Sequence, residues 1–231
     1  MLKKGVKMHT LKLTAKDFKE VNGYKEYTGK EDLNNFEGNL EFEANLGWMK
    51  FDRIKVSGYI RIKAGGSIEA DGSIEADGSI VAGGSIEAGG SIEAGGSIVA
   101  GGSIEADGSI VAGGSIKAGG SIEAGDSIKA DCSIEAGDWI KAGGSIEAGD
   151  GGILAGLHIT CKGLLKFKLR LFAGVSPYSW VEGSNSKVTC GKLEGNVVYG
   201  EVIETGMPDN TKEQSEPEVI TLNGKRYQAI D

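Results

Sequence analysis

Residues 113–124 read GGSIKAGGSIEA, and the six-residue unit that they contain recurs through almost half of the chain. Isoleucine stands at fifteen consecutive positions with a spacing of six, from Ile62 to Ile146. This period matches neither an α-helix nor a coiled coil, and the paired glycines would cost a helix about 1 kcal/mol each relative to alanine. A short strand, Ser-Ile-x-Ala, followed by a glycine-rich corner fits every unit. In such a strand the isoleucine and the alanine face one side, and the residue between them faces the other.

A strand this short cannot bury its apolar side alone, so the units are expected to stack as the rungs of a β-solenoid with the isoleucines inside. Each buried isoleucine contributes about 1.5–3 kcal/mol. Val56 extends the six-residue step backwards, and one extra residue near 150–152 shifts its phase. Beyond this shift the step resumes at Ile153, Ile159, Leu165 and Leu171. The sequence therefore predicts an all-β fold, a single-stranded parallel β-helix that is three-sided if three six-residue units complete each coil.

The flanking sequences lack the repeat and predict caps, a linker and a terminal hairpin. A short helix with its N-cap at Thr14 and its end at Asn22-Gly23, followed by strands rich in bulky apolar residues, predicts a small α+β cap at the N-terminus. Strands are predicted near 186–190 and 197–203, and Asn223-Gly224 predicts a hairpin with a type I′ turn. The predicted organisation is an N-terminal cap at 1–55, the solenoid at 56–175, C-terminal cap strands at 176–204, a polar linker at 205–218 and the hairpin at 219–231.

The unit Ile-Glu-Ala-Gly-Gly-Ser resembles that of the hexapeptide-repeat β-helices, although glycine stands where those repeats usually carry Ser, Thr, Ala or Val. More loosely, the chain is similar to the bactofilin cytoskeletal solenoids. It also resembles small GSIxAG-repeat proteins of phages and mobile elements, which share a lysine-rich start, a segment like RLFAG at 170–174 and a strand like KLEG at 192–195. These resemblances imply a β-helical fold and a phage or mobile-element setting, with the host cytoplasm as the location, rather than a known activity.

The residue between the isoleucine and the alanine distinguishes one unit from the next. With three units in a coil, these outward residues sort onto three faces. The first face carries Lys63, Val81, Val99, Lys117 and Glu135. The second carries Glu69, Glu87, Glu105, Glu123 and Lys141, and the third carries Glu75, Glu93, Val111, Lys129 and Glu147. The second face is predicted to stack four glutamates about 4.8 Å apart.

Acidic residues are in excess in the first half of the repeat. Residues 64–112 contain five Glu, three Asp and no Lys or Arg, a net charge of −8, whereas in residues 113–149 three Glu and three Asp face three Lys, a net charge of −3. Like charges about 4.8 Å apart repel by roughly 1 kcal/mol in water, so the pattern opposes folding. The acids predicted to form a partner-binding face are Glu69, Asp71, Glu75, Asp77, Glu87, Glu93, Glu105, Asp107 and Glu123.

Four interpretations of this excess stay open. Glutamate keeps a glycine-rich solenoid in solution; a rigid acidic rod binds a basic groove, as acidic pentapeptide-repeat β-helices mimic the DNA duplex; the carboxylates bind Ca²⁺; or the solenoid self-associates. The calcium-binding pattern Gly-Gly-x-Gly-x-Asp is missing, which disfavours the third. We predict the second: a non-enzymatic acidic β-helix that binds a basic, nucleic-acid-binding protein. In the phage setting it would be a nucleic-acid mimic that inhibits a host defence complex of the CRISPR or restriction type. The alternative is a self-associating structural solenoid of the cytoskeletal or virion kind.

The sequence carries little that could support catalysis, and we predict neither an enzyme nor a bound cofactor or metal. His158 could serve as the base of a hexapeptide-repeat acyltransferase, but no supporting motif accompanies it. Cys132, at a corner, is predicted to be exposed, and Cys161 and Cys190, in strands, to be buried; with no CxxC pair, the three favour a reducing, cytoplasmic compartment. The net charge of −8 disfavours direct binding to nucleic acid or to an anionic membrane. No apolar run approaches the ~18 residues that span a bilayer.

Overall fold

The fold is a parallel β-solenoid built from three sheets. The computed structural model of the chain describes residues 8–174 and 186–207, together with the backbone of 219–222 and 225–228. Within the repeat the chain visits the sheets in a fixed cyclic order, so each strand pairs with the strands three positions before and after it. The predicted all-β, three-sided parallel β-helix is confirmed.

Each sheet runs along one side of the solenoid. Sheet A contains Thr10–Leu13, Asn39–Phe42, Ile60–Ile62, Ile80–Ala82, Ile98–Ala100, Ile116–Ala118, Ile134–Ala136, Ile153–Ala155, Leu171–Ala173 and Val197–Tyr199. Sheet B contains Phe18–Val21, Tyr24–Tyr27, Gly47–Phe51, Gly66–Ala70, Ile86–Ala88, Ile104–Ala106, Ile122–Ala124, Ile140–Ala142, Ile159–Cys161, Lys187–Cys190 and Glu201–Glu204. Sheet C contains Ile54–Val56, Ile74–Ala76, Ile92–Ala94, Ile110–Ala112, Ile128–Ala130, Ile146–Ala148, Leu164–Phe167 and Lys192–Glu194.

The core is a set of apolar columns in which like residues stack on like. Ile86 pairs with Ile104 and Ala88 with Ala106, and the same three-unit step holds throughout the repeat from Ile68. The side chain of every repeat isoleucine from Ile68 to Ile146 is fully buried. The predicted phase shift is also confirmed, because Ile134 pairs with Ile153, one position beyond the regular step. The small alanine at the second inward position is also buried in every unit from Ala70 to Ala148.

The serine hydroxyl of most units accepts a hydrogen bond from a backbone N–H of the next coil at the corner. The N–H of Ser85 donates to the hydroxyl oxygen of Ser67 at 3.0 Å, and the N–H of Ser121 donates to that of Ser103 at 3.2 Å. The corner glycine is required by close approach between coils, since a Cβ on Gly119 would lie 2.1 Å from the carbonyl oxygen of the glycine one coil below. Serine and glycine therefore recur for reasons of backbone packing, independently of what the outer face does.

The register of the first coil differs from the prediction. The six-residue step placed Val56 and Ile62 in the isoleucine column, with Lys63 outward. In the structure Ile60 pairs with Ile80 and Ile62 with Ala82, and Arg61 rather than Lys63 faces outward. Likewise Ile54 pairs with Ile74, and Val56 takes the alanine position opposite Ala76. Residues two apart in a strand face the same side, so Ile62 is inward in both registers. The structure buries Ile60 beside it and leaves Ala64, the predicted partner, exposed. The coil that begins at Ile60 is therefore longer than the regular coils, with the insertion between Ile60 and Ile68.

The predicted helix of the N-terminal cap is wrong beyond its first turn. Thr14 is an N-cap with a capping box, but the helix is a single 3-10 turn, Ala15–Asp17. The chain then forms an antiparallel hairpin, Phe18–Val21 with Tyr24–Tyr27. Asn22 and Gly23 have φ angles of 51° and 86°, which fits a type I′ turn rather than a helix end. A second 3-10 turn, Leu33–Asn35, completes the cap. Tertiary packing of aromatic rings outweighs the local helical preference, because a strand places Phe18 over the end of the core.

The C-terminal strands continue the solenoid by one coil and one further strand of sheet B. Val188 pairs with Ile159, Leu193 with Leu165 and Val197 with Leu171. The strand predicted near 186–190 is confirmed as Lys187–Cys190, and the region 197–203 contains two strands, Val197–Tyr199 and Glu201–Glu204. The predicted terminal hairpin is present as Val219–Leu222 antiparallel to Lys225–Gln228. Its Asn223-Gly224 turn lies outside the described residues, as do 208–218 of the predicted linker.

Candidate functional site: an acidic face on sheet B

Four glutamates form one column on the outer face of sheet B. Glu69 pairs with Glu87, Glu87 with Glu105 and Glu105 with Glu123, all in register. Lys141 follows in the next coil. The column has the composition that a coil of three units predicted, with neighbouring glutamates separated by the rung spacing of about 4.8 Å. We call these four glutamates the glutamate column.

Lysines pair with both ends of the glutamate column. Lys50, in the coil below, contacts Glu69 at 3.3 Å and Asp71 at 2.9 Å. Lys141, in the coil above, forms a salt bridge with Glu123. The pKa of Lys50 is raised by its hydrogen bonds to Asp71 and Glu69, and the pKa of Lys141 by its hydrogen bond to Glu123. Lys50 was not predicted from the sequence, because it belongs to the irregular coil that precedes the repeat.

The middle of the column is uncompensated. Within the described residues, no Lys or Arg lies within salt-bridge distance of Glu87 or Glu105. The pKa of Glu87 is raised, first by partial burial and then by the charges of Glu105 and Glu69. A raised carboxyl pKa means that the folded chain holds the charged form of Glu87 at a free-energy cost.

Two aspartates add to the negative charge beside the column. Asp71 and Asp107 are the first corner residues after sheet B, two coils apart, with Gly89 between them. Glu69, Asp71, Glu87, Glu105 and Asp107 line a shallow groove of about 230 Å³ that follows the corner. Because alternate coils carry glycine at this corner, the groove is open to the solvent along the column. The structure therefore brings six of the nine predicted acids together on sheet B and its corner.

The other three predicted acids lie on the neighbouring face. Glu75 and Glu93 are outward residues of sheet C, and Asp77 is the corner residue after that sheet. Glu75 pairs with Lys55 at 2.6 Å. Val111 and Lys129 follow Glu93 in the same column, so the sheet C face loses its acidic character after two coils. The nine acids predicted to form a partner-binding face therefore lie on two faces that meet at a corner, and the three-unit coil already places Glu75 and Glu93 on a face apart from the glutamate column.

Sheet A contrasts with both acidic faces. Val81 and Val99 are the outward residues of its middle coils. Lys117 and Glu135 follow and form a salt bridge of 3.0 Å. The negative excess of the repeat therefore lies on two of the three sides of the solenoid.

Groups that could support other chemistry are few. His158 stacks on Trp139 with ring centroids 6.0 Å apart, and partial burial lowers the pKa of His158. Cys132 is exposed and Cys161 and Cys190 are buried, as predicted, and burial raises the pKa of Cys161 to about 12. Among the residues that the structure describes, no group of three or more His, Cys, Asp or Glu could hold a metal ion. In that same part of the chain, no helix has the length and apolar character needed to span a membrane.

Comparison with protein-family models, with curated proteins and with solved structures finds no match to this chain.

Proposed function

We propose that the chain is a non-enzymatic binding protein whose glutamate column and corner aspartates engage a basic surface on a partner protein. The observation that carries the proposal is the in-register run Glu69–Glu87–Glu105–Glu123, whose two middle members have no cationic neighbour among the described residues. The same fold accommodates Glu–Lys alternation, as Lys117 opposite Glu135 demonstrates. The solenoid does not need stacked like charges, which lower its stability. A binding role gives a reason for them to persist.

The spacing of the charges supports a partner that normally binds nucleic acid. The column presents one carboxylate per rung of about 4.8 Å, and one strand of DNA presents one phosphate per about 3.4 Å of helix axis. Both are rigid, regularly spaced rows of negative charge, so a basic groove that follows a phosphate backbone could also follow the column. The resemblance to GSIxAG-repeat proteins of mobile elements supports a narrower form of this proposal. In that form, the protein inhibits a nucleic-acid-binding defence complex in the host cytoplasm.

The test compares two variants that change the net charge equally. The column variant carries Glu87→Gln, Glu105→Gln and Glu123→Gln. The control variant carries Glu135→Gln, Glu147→Gln and Glu194→Gln, three exposed or half-exposed glutamates away from the column. Each immobilised protein is exposed to lysate, and captured proteins are challenged with a short DNA duplex at low and high salt. We expect the wild type and the control variant to capture basic proteins that the duplex releases, and the column variant to lose them. Equal capture by all three proteins would contradict the proposal, and so would equal loss in both variants.

Self-association is the second candidate function, and the exposed last coil favours it. Glu201–Glu204 is the final strand of sheet B, and no described strand pairs with its outer edge. Unpaired strand edges promote association between chains. Self-association would be supported over partner binding if the mean molar mass from light scattering rises with protein concentration. The column variant should show the same rise.

A further inference from the structure

The two ends of the solenoid are closed to different degrees. The last coil consists of Lys192–Glu194, Val197–Tyr199 and Glu201–Glu204, which end sheets C, A and B in the described part of the chain. The side chains Val198, Tyr199, Val202 and Ile203 of this coil, and Met207 just after it, are each 37–54% exposed. Between residues 68 and 148, all of which the structure describes, no large apolar side chain reaches this exposure. The last coil therefore exposes several apolar side chains, and one of them, Val202, lies at an inward position above the buried Val188.

The final strand carries a charge at an inward position. Val202 and Glu204 continue the inward columns above Val188 and Cys190. The carboxylate of Glu204 accepts a hydrogen bond from the backbone N–H of Leu193 at 3.4 Å. An inward charge on an edge strand discourages pairing with a second copy of the same strand. Antiparallel pairing of Glu201–Glu204 with itself would also set Glu201 opposite Glu204 of the second copy, a repulsive pair.

A hairpin closes the opposite end of the same sheet. The N-terminal hairpin, Phe18–Val21 with Tyr24–Tyr27, pairs in parallel with Gly47–Phe51 and so ends sheet B. The rings of Phe18 and Tyr27 lie 6.0 and 6.1 Å from the ring of Phe51. This hairpin combines two four-residue strands, an Asn-Gly turn and an aromatic residue at each outer end, and it covers the core at that end.

The C-terminal hairpin has a matching design. Val219–Leu222 and Lys225–Gln228 are two four-residue antiparallel strands, joined by the sequence Asn-Gly. The register sets Ile220 opposite Tyr227, so two large apolar residues occupy facing positions. Its second strand contains Lys225 and Arg226, charges complementary to the two glutamates of Glu201–Glu204. A hairpin of this size is marginally stable alone and needs an apolar surface to pack against.

The connecting chain is long enough for the hairpin to reach the open end. Eleven residues, 208–218, separate Met207 from Val219. Fully extended they would span about 36–40 Å, and as a flexible chain their root-mean-square span would be about 17–20 Å. The exposed side chains lie within the last ten residues before this connection. A contact within one chain therefore needs no large excursion of the linker.

We propose that the C-terminal hairpin of the same chain docks on the open end of the solenoid, covering Val202 and Ile203 and placing its cationic strand beside Glu201 and Glu204. Sheet B is then closed by a hairpin at both ends. The protein is a monomeric rod with no free end for filament growth, and the acidic faces along its sides stay accessible. The proposal does not depend on the function of the glutamate column.

Hydrogen–deuterium exchange on the full-length protein tests this docking, with size-exclusion chromatography and light scattering at two protein concentrations. The test variant is Ile220→Asp, and the matched control is Thr221→Asp, which adds the same charge at the adjacent position. We expect a monomer in which amides of Glu201–Glu204 are protected, with exchange about tenfold or more faster in Ile220→Asp and near wild-type in the control. Far-UV circular dichroism checks that the solenoid is intact.

Three results would overturn the proposal. Equally fast exchange at Glu201–Glu204 in the wild type and in Ile220→Asp would mean that the hairpin does not cover this strand. Protection that rises with protein concentration, together with a dimer in light scattering, would assign the open end to a second copy. Equal loss of protection in Ile220→Asp and Thr221→Asp would indicate an effect of added charge rather than of apolar docking.

Discussion

The two halves of the repeat have the same interior and different outer faces. In residues 68–112 and in residues 116–148, isoleucine stacks on isoleucine and alanine on alanine with the same three-unit step. Outside, Glu87 and Glu105 face only other glutamates in the first half, whereas in the second half Lys129 pairs with Glu147. The core packing therefore does not depend on which residue occupies the outward position, and the charge there can vary without changing the backbone fold. Outward charges that lower stability are therefore informative about function, because the fold does not require them.

The largest expected effect tests whether the two interiors are equivalent. Ile86 and Ile140 are fully buried on sheet B, one in each half. We expect Ile86→Ala and Ile140→Ala each to lower the free energy of unfolding by about 2–5 kcal/mol, through lost apolar burial and an unfilled cavity. The two losses should differ by less than about 1 kcal/mol. Urea unfolding measures both, with unchanged m values as the control for a common unfolding transition. A clearly smaller loss of unfolding free energy in one half would show that the two interiors are not equivalent.

The next effect tests the corner serines that both halves share. Ser103→Ala removes the acceptor for the N–H of Ser121, a residue that is 7% exposed. Leaving a buried N–H without a partner costs about 1–3 kcal/mol, which urea unfolding should detect. Ser133→Ala is the matched control, since the Ser133 hydroxyl accepts no hydrogen bond from a described corner N–H. If both substitutions cost the same, the serine ladder does not act as the corner geometry indicates.

The regular part of the fold could be predicted because every six-residue unit carries the same inward residues. A β-branched residue every six positions, with a small residue two positions later, defines the inward side and the coil length together. The errors lie where the repeat ends. At Ile60 and Ile62 both residues face inward, so the pattern alone could not choose the register. At 14–21 the capping signal of Thr14 was correct, but aromatic packing on Phe51 decided between helix and strand.

The candidate site was predictable in composition and less so in electrostatics. The glutamate column follows from the coil length alone. The salt bridge from Lys50 to Asp71 joins a residue of the cap to a residue of the repeat. Because the coil between them is irregular, the six-residue spacing of the repeat does not predict this contact. The division of the glutamates between sheets B and C, in contrast, follows from the coil length, which places Glu75 and Glu93 on a face apart from the column. Charges that repeat with the coil can be placed from the sequence, and charges at the ends of the repeat cannot.

A charge reversal should have opposite effects in the two halves. Glu105 lies between Glu87 and Glu123, whereas Glu147 lies between Lys129 and Lys166. We expect Glu105→Lys to raise the free energy of unfolding by about 0.2–1 kcal/mol and Glu147→Lys to lower it by a similar amount. Both changes should shrink in 1 M NaCl, where the screening length falls to about 3 Å. Changes of the same sign would show that the outward charges do not interact along the columns.

The smallest effect concerns the pH dependence of the uncompensated column. Burial and the neighbouring glutamates raise the pKa of Glu87 in the folded chain above its ordinary value. The folded state then binds a proton more readily than the unfolded state, so this group lowers stability as the pH rises from the ordinary carboxyl range through the raised pKa. Because Glu87 is only partly buried, screening by solvent limits the effect at pH 7 to about 0.2–0.5 kcal/mol.

We therefore expect Glu87→Gln to be slightly more stable than the wild type at pH 7 and to lose this advantage as the pH falls towards about 4.3. Urea titrations at several pH values measure the difference. Glu147→Gln, which removes a carboxylate flanked by lysines, is the control and should be less stable than the wild type at pH 7. A constant advantage of Glu87→Gln at every pH would mean that neutral packing, rather than repulsion within the column, sets the stability of this face. The first half of the repeat would then be acidic without an electrostatic cost, and stability would give no argument for a binding role.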